Sequence, residues 1–278
     1  MTVGVLPNLD KNGAADIVEK MGKIFKGENI KAYLPDSICA TGYEHLPENE
    51  IYDKADIIIT VGGDGTIIRY AKLAALKNKP VLGINAGRVG FLSNIEANEL
   101  ELLKKLKTGD YTTEERIILD ISVLDNGKEV YRQTAMNDLV ITSGFISRII
   151  DIKAYIENDC VAYRADGLIV STPTGSTAYS LSAGGPIIDP LSENICITPI
   201  CSHSLTARPI ILNKNAILRL KAISLKHADI YMSVDGRRGH IIKKNTEIVV
   251  TKSNHNVKLI RLDNKSFYKV LSEKFKEK

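Results

Sequence analysis

Gly62-Gly63-Asp64-Gly65-Thr66 joins two features that pull in opposite directions. Glycines lack Cβ atoms, so their backbone N–H groups can come close to a ligand. A helix starting beside them adds unpaired N–H groups and partial positive charge. Together these suit a phosphate or pyrophosphate. Asp64 is a carboxylate and repels phosphate. Its place at the tip makes chemical sense if it holds Mg²⁺, or if it accepts a proton from a hydroxyl about to attack phosphorus. Arg69, about one helical turn beyond Gly65, is placed either to reach back toward a phosphate or to be a solvated helix residue. The candidate phosphate contacts are therefore Gly62, Gly63, Gly65, Thr66 and Arg69. The competing reading is a plain tight turn with ordinary Asp-Gly chemistry. A strand-to-helix corner makes the pattern more specific than a lone Asp-Gly, and it is neither a Walker A loop nor a Rossmann GxGxxG.

A second constellation runs from Asp166 to Pro186 and is dense in Ser, Thr and Gly. Hydroxyls and glycine amides there can donate several hydrogen bonds at close range. Tyr179 adds an aromatic face and a phenol. Such a surface suits a ligand carrying phosphates, ribose and a base; the alternative is a loop whose hydroxyls cap its own turns. Asn137 and Asp138 can read ribose hydroxyls or an adenine edge, or can simply start a strand. Arg164 and Asp166 are two residues apart, so in an extended chain they face the same way, as an ion pair or a charge-paired ligand contact. His203 reads as a satisfied polar residue rather than a catalyst.

The elements that must carry these residues change character near residue 115. Before it, apolar runs alternate with helical spacing. Val3–Leu6 is a first strand, Ala14–Phe25 a helix, and Asp56–Val61, with Ile57-Ile58-Ile59, a strand covered on both faces. A helix is expected over about Thr66–Lys77, a strand over Pro80–Ile84, and a helix over Leu100–Leu106. That order implies a parallel sheet. Beyond Glu115 the period becomes two, as in Leu119–Val123, Ile150–Ile156 and Leu218–Ala222. Asp125-Asn126-Gly127, Glu157-Asn158-Asp159 and Asp235-Gly236 supply turns. The reading is an α/β N-terminal domain with a parallel sheet, followed by a mainly antiparallel β C-terminal domain, with a cleft between them. Leu259–Lys278 is expected to form a short helix.

Composition narrows the class. The chain has 278 residues, enough for two domains, and is 44% hydrophobic and 25% charged. Those fractions argue against disorder. The 37 basic and 33 acidic side chains leave +4, with no dense basic stripe of the kind nucleic-acid binders carry. No apolar run reaches the roughly 18 residues of a membrane span. Four scattered cysteines without a CxxC pair argue against a disulfide framework or a zinc site. No secretion signal is read at the N-terminus. A reduced, cytoplasmic protein is expected.

The motifs occur in a telling order: Gly62-Gly63-Asp64-Gly65-Thr66, then Gly87-Arg88-Val89-Gly90-Phe91-Leu92, then Asn137-Asp138, then Asp166-Gly167 running into Thr174–Pro186. Along nearly the whole chain the sequence resembles bacterial NAD kinase, the ATP/polyphosphate–NAD kinase family. The resemblance implies Mg²⁺-dependent transfer of the ATP γ-phosphoryl group to the 2′-hydroxyl of the adenosine ribose of NAD⁺. It implies Asp64 as proton acceptor with Gly65 beside it. It implies Phe91 and Asn137 at the adenine and Asp138 at the ribose, where many relatives have Asn-Glu. Thr177, Ala178, Tyr179 and Ser182 would line the dinucleotide. Arg148, Arg164 and Asp166 match further binding positions, some serving a neighbouring subunit, and Cys201 falls where relatives often have a small residue. The family implies no fixed protein metal site, a homodimer or homotetramer built through the β domain, and an N-terminal domain (1–115) that takes back the segment 256–278, leaving 116–255 as the dinucleotide and oligomerisation domain.

Overall fold

The computed structural model describes residues 1–87, 90–144, 149–224, 229–243, 246–263 and 265–276. The chain divides into two units: Met1–Glu115 with His255–Lys278, and Arg116–Asn254.

The first unit is built on parallel strands. Thr2–Pro7 pairs with Lys31–Pro35 and with Ile57–Gly62, and Ile57–Gly62 pairs with Val81–Asn85. Glu44–Leu46 extends one edge, and Leu259 joins Val81 on the other side. Val3, Val5, Ile57, Ile59, Leu82 and Ile84 pack with Ile17, Val18, Met21 and Phe25 of the helix Ala14–Gly27. Alternate residues face the other way. There the strand leaves no room for side chains at Gly4 and Gly83: an added Cβ would lie 2.2 Å from Ile51 and 2.5 Å from Ile67. Ile51 and Ile67 belong to the helices Glu48–Lys54 and Asp64–Leu76. Ile57, Ile58 and Ile59 are all buried, which is why this strand reads as an unbroken apolar run.

The second unit is antiparallel. One six-stranded sheet has Asp138–Ser143 and Gly167–Ser171 at its centre. Ile195–Ile200 and Ile210–Leu212 lie on one side, Ile230–Val234 and Arg237–Ile242 on the other. Ile150–Ile156 pairs with Asp159–Ala165 and with Leu218–Ser224 in a second sheet. The inner faces of both meet in one core that includes Ile121, Leu139, Ile152, Leu168, Leu220 and Met232. Asn126-Gly127 and Asp235-Gly236 close tight hairpins with positive φ at both residues, the conformation that matches strand twist.

Three expected elements differ. The helix after the glycine turn starts at Asp64, not near Thr66. Leu100–Leu106 is a 3-10 turn, Leu100–Lys104, running into the short helix Lys105–Thr108. The end of the chain continues a strand, Thr246–Arg261, before the helix Phe267–Lys276. Among the described residues no helix is long and apolar enough to cross a membrane.

Candidate functional site

In the first unit the site grows from the carboxyl ends of parallel strands, where open α/β sheets bind ligands. Pro7, Gly62 and Asn85 end three neighbouring strands. Gly62 admits no side chain, since a Cβ would meet Thr66 Oγ1 at 2.4 Å. Thr66 is buried, and its hydroxyl accepts a hydrogen bond from Asn8 Nδ2 at 3.4 Å. Its side chain therefore closes the turn from inside. Gly63 caps the helix and Gly65 is exposed. The Arg69 guanidinium stands 5.0 Å from the Tyr70 ring centre.

Asp64 opens the helix, but its carboxylate reaches across to the loop that follows Val81–Asn85. Phe91 N–H donates to Oδ2 at 2.8 Å and Leu92 N–H to Oδ1 at 3.1 Å. Gly90 makes this approach possible, because a Cβ there would stand 1.9 Å from Asp64 Oδ1. Each carboxylate oxygen is thus fixed by one N–H and keeps lone-pair capacity for another donor. Asn85, buried beside this corner, donates to Gly87 O at 2.9 Å and to Glu96 Oε2 at 2.8 Å. Among the described residues no group of three or more His, Cys, Asp or Glu is arranged to hold a metal ion.

In the second unit a cavity of about 390 Å³ is lined by Asn137, Asp138, Val140, Ala178, Tyr179, Ser233, Asp235 and Gly236. Four of the expected dinucleotide residues thus share one cavity wall. Thr177 and Ser182 flank it in sequence, Thr177 with its hydroxyl donating to Thr174 O at 3.3 Å and Ser182 exposed on the helix Tyr179–Ser182. Gly175 lets this segment lie against the Asn137 backbone, since a Cβ would be 2.1 Å from Asn137 O. Most other hydroxyls of the segment turn inward. Thr172 Oγ1 donates to Met136 O at 2.6 Å, Ser176 Oγ to Pro173 O at 2.6 Å, and Ser180 shares a 3.0 Å bond with Thr198. The sequence leaves open whether these hydroxyls face a ligand or cap the loop; Thr172 and Ser176 cap it, and Ser180 ties it to the strand Ile195–Ile200.

Asp235 is a member of this site that sequence reasoning reads only as turn punctuation. Its carboxylate accepts the N–H groups of Met136 (3.1 Å), Asn137 (2.8 Å) and Asp138 (3.1 Å). No local signal connects it to residues almost a hundred positions away. Burial, and then the Asp235 charge, push the Asp138 carboxyl up to about 7.

Arg164, Asp166 and Cys201 form a separate group. Asp166 N–H donates to Ile200 O at 3.0 Å, next to Cys201, and His203 N–H donates to Arg164 O at 2.8 Å. Arg164 pairs with Asp151 at 3.4 Å, rather than with Asp166. This group lies at the Gly167 end of the strand Gly167–Ser171, whereas Ser171 pairs with Asp138 at the cavity end. Four residues of strand separate them, about 13 Å. Arg148 lies outside the described residues, as do Arg88 and Val89.

Residues 8–111 match the family model for the ATP-NAD kinase N-terminal domain, and residues 136–262 that for the ATP-NAD kinase C-terminal domain. An NAD kinase of Caldanaerobacter subterraneus subsp. tengcongensis is 42% identical over 281 residues, covering 99% of each chain. An NAD kinase of Natranaerobius thermophilus is 41% identical, covering 98% of this chain and 97% of that one. Among solved structures, an Archaeoglobus fulgidus NAD kinase in complex with ATP superposes with a TM-score of 0.73 at 25% identity, covering 99% and 98% of the two chains. Yeast NADH kinase complexed with NADH shares the fold, with a TM-score of 0.86 at 24% identity over 98% of this chain and 85% of that one. Matched from end to end by such relatives, the chain belongs to the ATP-NAD kinase family.

Proposed function

We propose that this chain is an NAD kinase that transfers the γ-phosphoryl group of ATP to the 2′-hydroxyl of the adenosine ribose of NAD⁺, giving NADP⁺ and ADP. Family membership supplies the substrates. The observation that carries the chemistry is the Asp64 carboxylate, pinned through both oxygens by the Phe91 and Leu92 N–H groups at the mouth of a strand-to-helix corner. In the reaction the bond from the γ-phosphorus to the β–γ bridging oxygen breaks, a bond from ribose O2′ to phosphorus forms, and the hydroxyl proton passes to Asp64. A carboxylate that cannot rotate costs no reorganisation when the hydroxyl arrives.

Gly62, Gly63, Gly65 and the start of the helix Asp64–Leu76 serve the nucleotide phosphates, with Arg69 within reach of them. A divalent metal, Mg²⁺ by preference, would come with ATP rather than be held by a fixed protein site, and would supply charge neutralisation to the phosphates. Asn137, Asp138, Thr177, Ala178, Tyr179 and Ser182 hold the adenosine, with Phe91 at the base. Arg164, Asp166 and Cys201, and with them Arg148, serve the pocket of a second copy in a homodimer or homotetramer; their place at the far end of the strand from Asp138 supports this. The protein works in the cytoplasm.

Incubation of the purified protein with NAD⁺, ATP and Mg²⁺, followed by chromatographic separation of products, should yield NADP⁺ and ADP in equal amounts. Asp64→Asn should lower turnover by about 10²–10⁴-fold while leaving NAD⁺ binding largely intact. Near-normal turnover in that variant rules Asp64 out as the base.

A further inference from the structure

The loop that holds Asp64 is itself held from its other side by the end of the chain. Asn94 N–H donates to Gly83 O at 2.9 Å, which ties the loop to the sheet. Leu262 N–H donates to Asn94 Oδ1 at 2.6 Å, and Asn94 Nδ2 donates to Asp263 Oδ1 at 2.6 Å. Asn94 and Leu262 are both buried. Arg261 reaches Glu114 at 3.0 Å and Ser93 O at 3.5 Å. Beyond these bonds, the helix Phe267–Lys276 lies over the ring of Phe91. The Phe267 ring centre is 5.8 Å from that of Phe91, and Lys274 Nζ stands 5.1 Å from the Phe91 ring centre. No residue of this helix is fully buried, so it adds little to the core. Through Phe267 and Lys274 it touches the ring of Phe91, the residue whose backbone N–H fixes Asp64 Oδ2.

We infer that the helix Phe267–Lys276 is a positioning element for Asp64, acting through the Phe91 ring. Phe267 and Lys274 set the ring, the ring sets the backbone of Phe91 and Leu92, and those two N–H groups set the carboxylate. Neither Phe267 nor Lys274 needs to touch substrate. The inference rests on the role proposed for Asp64. A ring contact of this kind contributes little to stability, whereas a misplacement of about 1 Å at reacting groups costs on the order of 10²-fold in rate. The effect is therefore expected in turnover more than in folding.

The test is a cycle of Phe267→Ala, Asp64→Asn and the double variant, with kcat, KM for NAD⁺ and melting temperature measured for each. Phe267→Ala should lower kcat by roughly 10-fold or more, on the scale of such misplacements, and raise KM for NAD⁺ by a smaller factor, since Phe91 also lies at the base. Phe267→Tyr should restore most of it. In the Asp64→Asn background the same change should have almost no further effect, because its route to the reaction is gone. Lys274→Ala, an exterior change that spares the core, should reproduce the pattern in weaker form and serves if Phe267→Ala does not fold. A Phe267 effect that persists undiminished in Asp64→Asn overturns the inference. So does a rise in KM with unchanged kcat, which would make the ring pair a plain substrate contact, or an unchanged kcat with only a lower melting temperature. Asp64→Asn with near-normal turnover sinks the role of Asp64 itself, and this inference with it.

Discussion

Asp138→Asn should change how the stability of the protein depends on pH. The Asp138 carboxyl is 4% exposed and faces a neighbour of like charge, Asp235, which is held in place by three N–H groups. Burial and that charge raise it from 3.8 to about 7. In the unfolded chain it is an ordinary carboxyl. Between those two values the folded protein holds one proton more than the unfolded chain, so stability falls as pH rises through the window. The loss is at most about 1.4 kcal/mol per pH unit, and about 4 kcal/mol over the whole span. Solvent screening removes little of this from so buried a group. Asn has nearly the same shape and no proton to release. Urea unfolding of both proteins at pH 5, 6, 7 and 8 should show the variant gaining on the wild type by about 2–3 kcal/mol from pH 5 to pH 8. Parallel stability curves would refute the reasoning, and would mean that water or a side-chain shift relieves the buried charge.

Three further outcomes are expected. Gly90→Ala puts a methyl group where Asp64 Oδ1 now lies, 1.9 Å from the ideal Cβ; the carboxylate must swing out, and kcat should fall on the order of 10²-fold. An unchanged kcat would show that the tethered position of Asp64 is not the working one. Asp235→Ala strips the acceptor from the N–H groups of Met136, Asn137 and Asp138, and should cost roughly 2–4 kcal/mol in equilibrium unfolding together with dinucleotide affinity. A loss under about 1 kcal/mol would mean that water takes over those bonds. Arg164→Ala removes a partly exposed ion pair with Asp151 and should change stability by less than about 1 kcal/mol, so lost NAD⁺ affinity in calorimetry would report a ligand contact, and unchanged affinity would remove Arg164 from the binding residues.

Much of the site is written in local chemistry. The apolar run Ile57-Ile58-Ile59 and the glycines after it announce a buried strand ending in a tight corner. The alternation in Ile150–Ile156 announces a two-faced strand. What stays hidden depends on distance along the chain. The helix starts two residues earlier than its apolar spacing indicates, because Asp64 satisfies the loop at Phe91 rather than capping its own helix. Asn85 is a polar residue closing an apolar strand, a weak hint that a bond partner waits nearby. The roles of Asp235 and Phe267 have no local hint at all, since each acts on a segment far away in sequence. The short strands Lys31–Pro35 and Glu44–Leu46 carry too few residues to show a period.

The inward-turned hydroxyls of Thr172, Ser176 and Ser180 bear on the thermodynamics of recognition. A stretch so rich in serine, threonine and glycine would ordinarily be floppy in the free protein and lose that freedom on capture of a ligand. Here internal bonds have already removed most of it during folding, so the rim of the cavity is pre-shaped and a ligand captured there would spend little association free energy on tightening it.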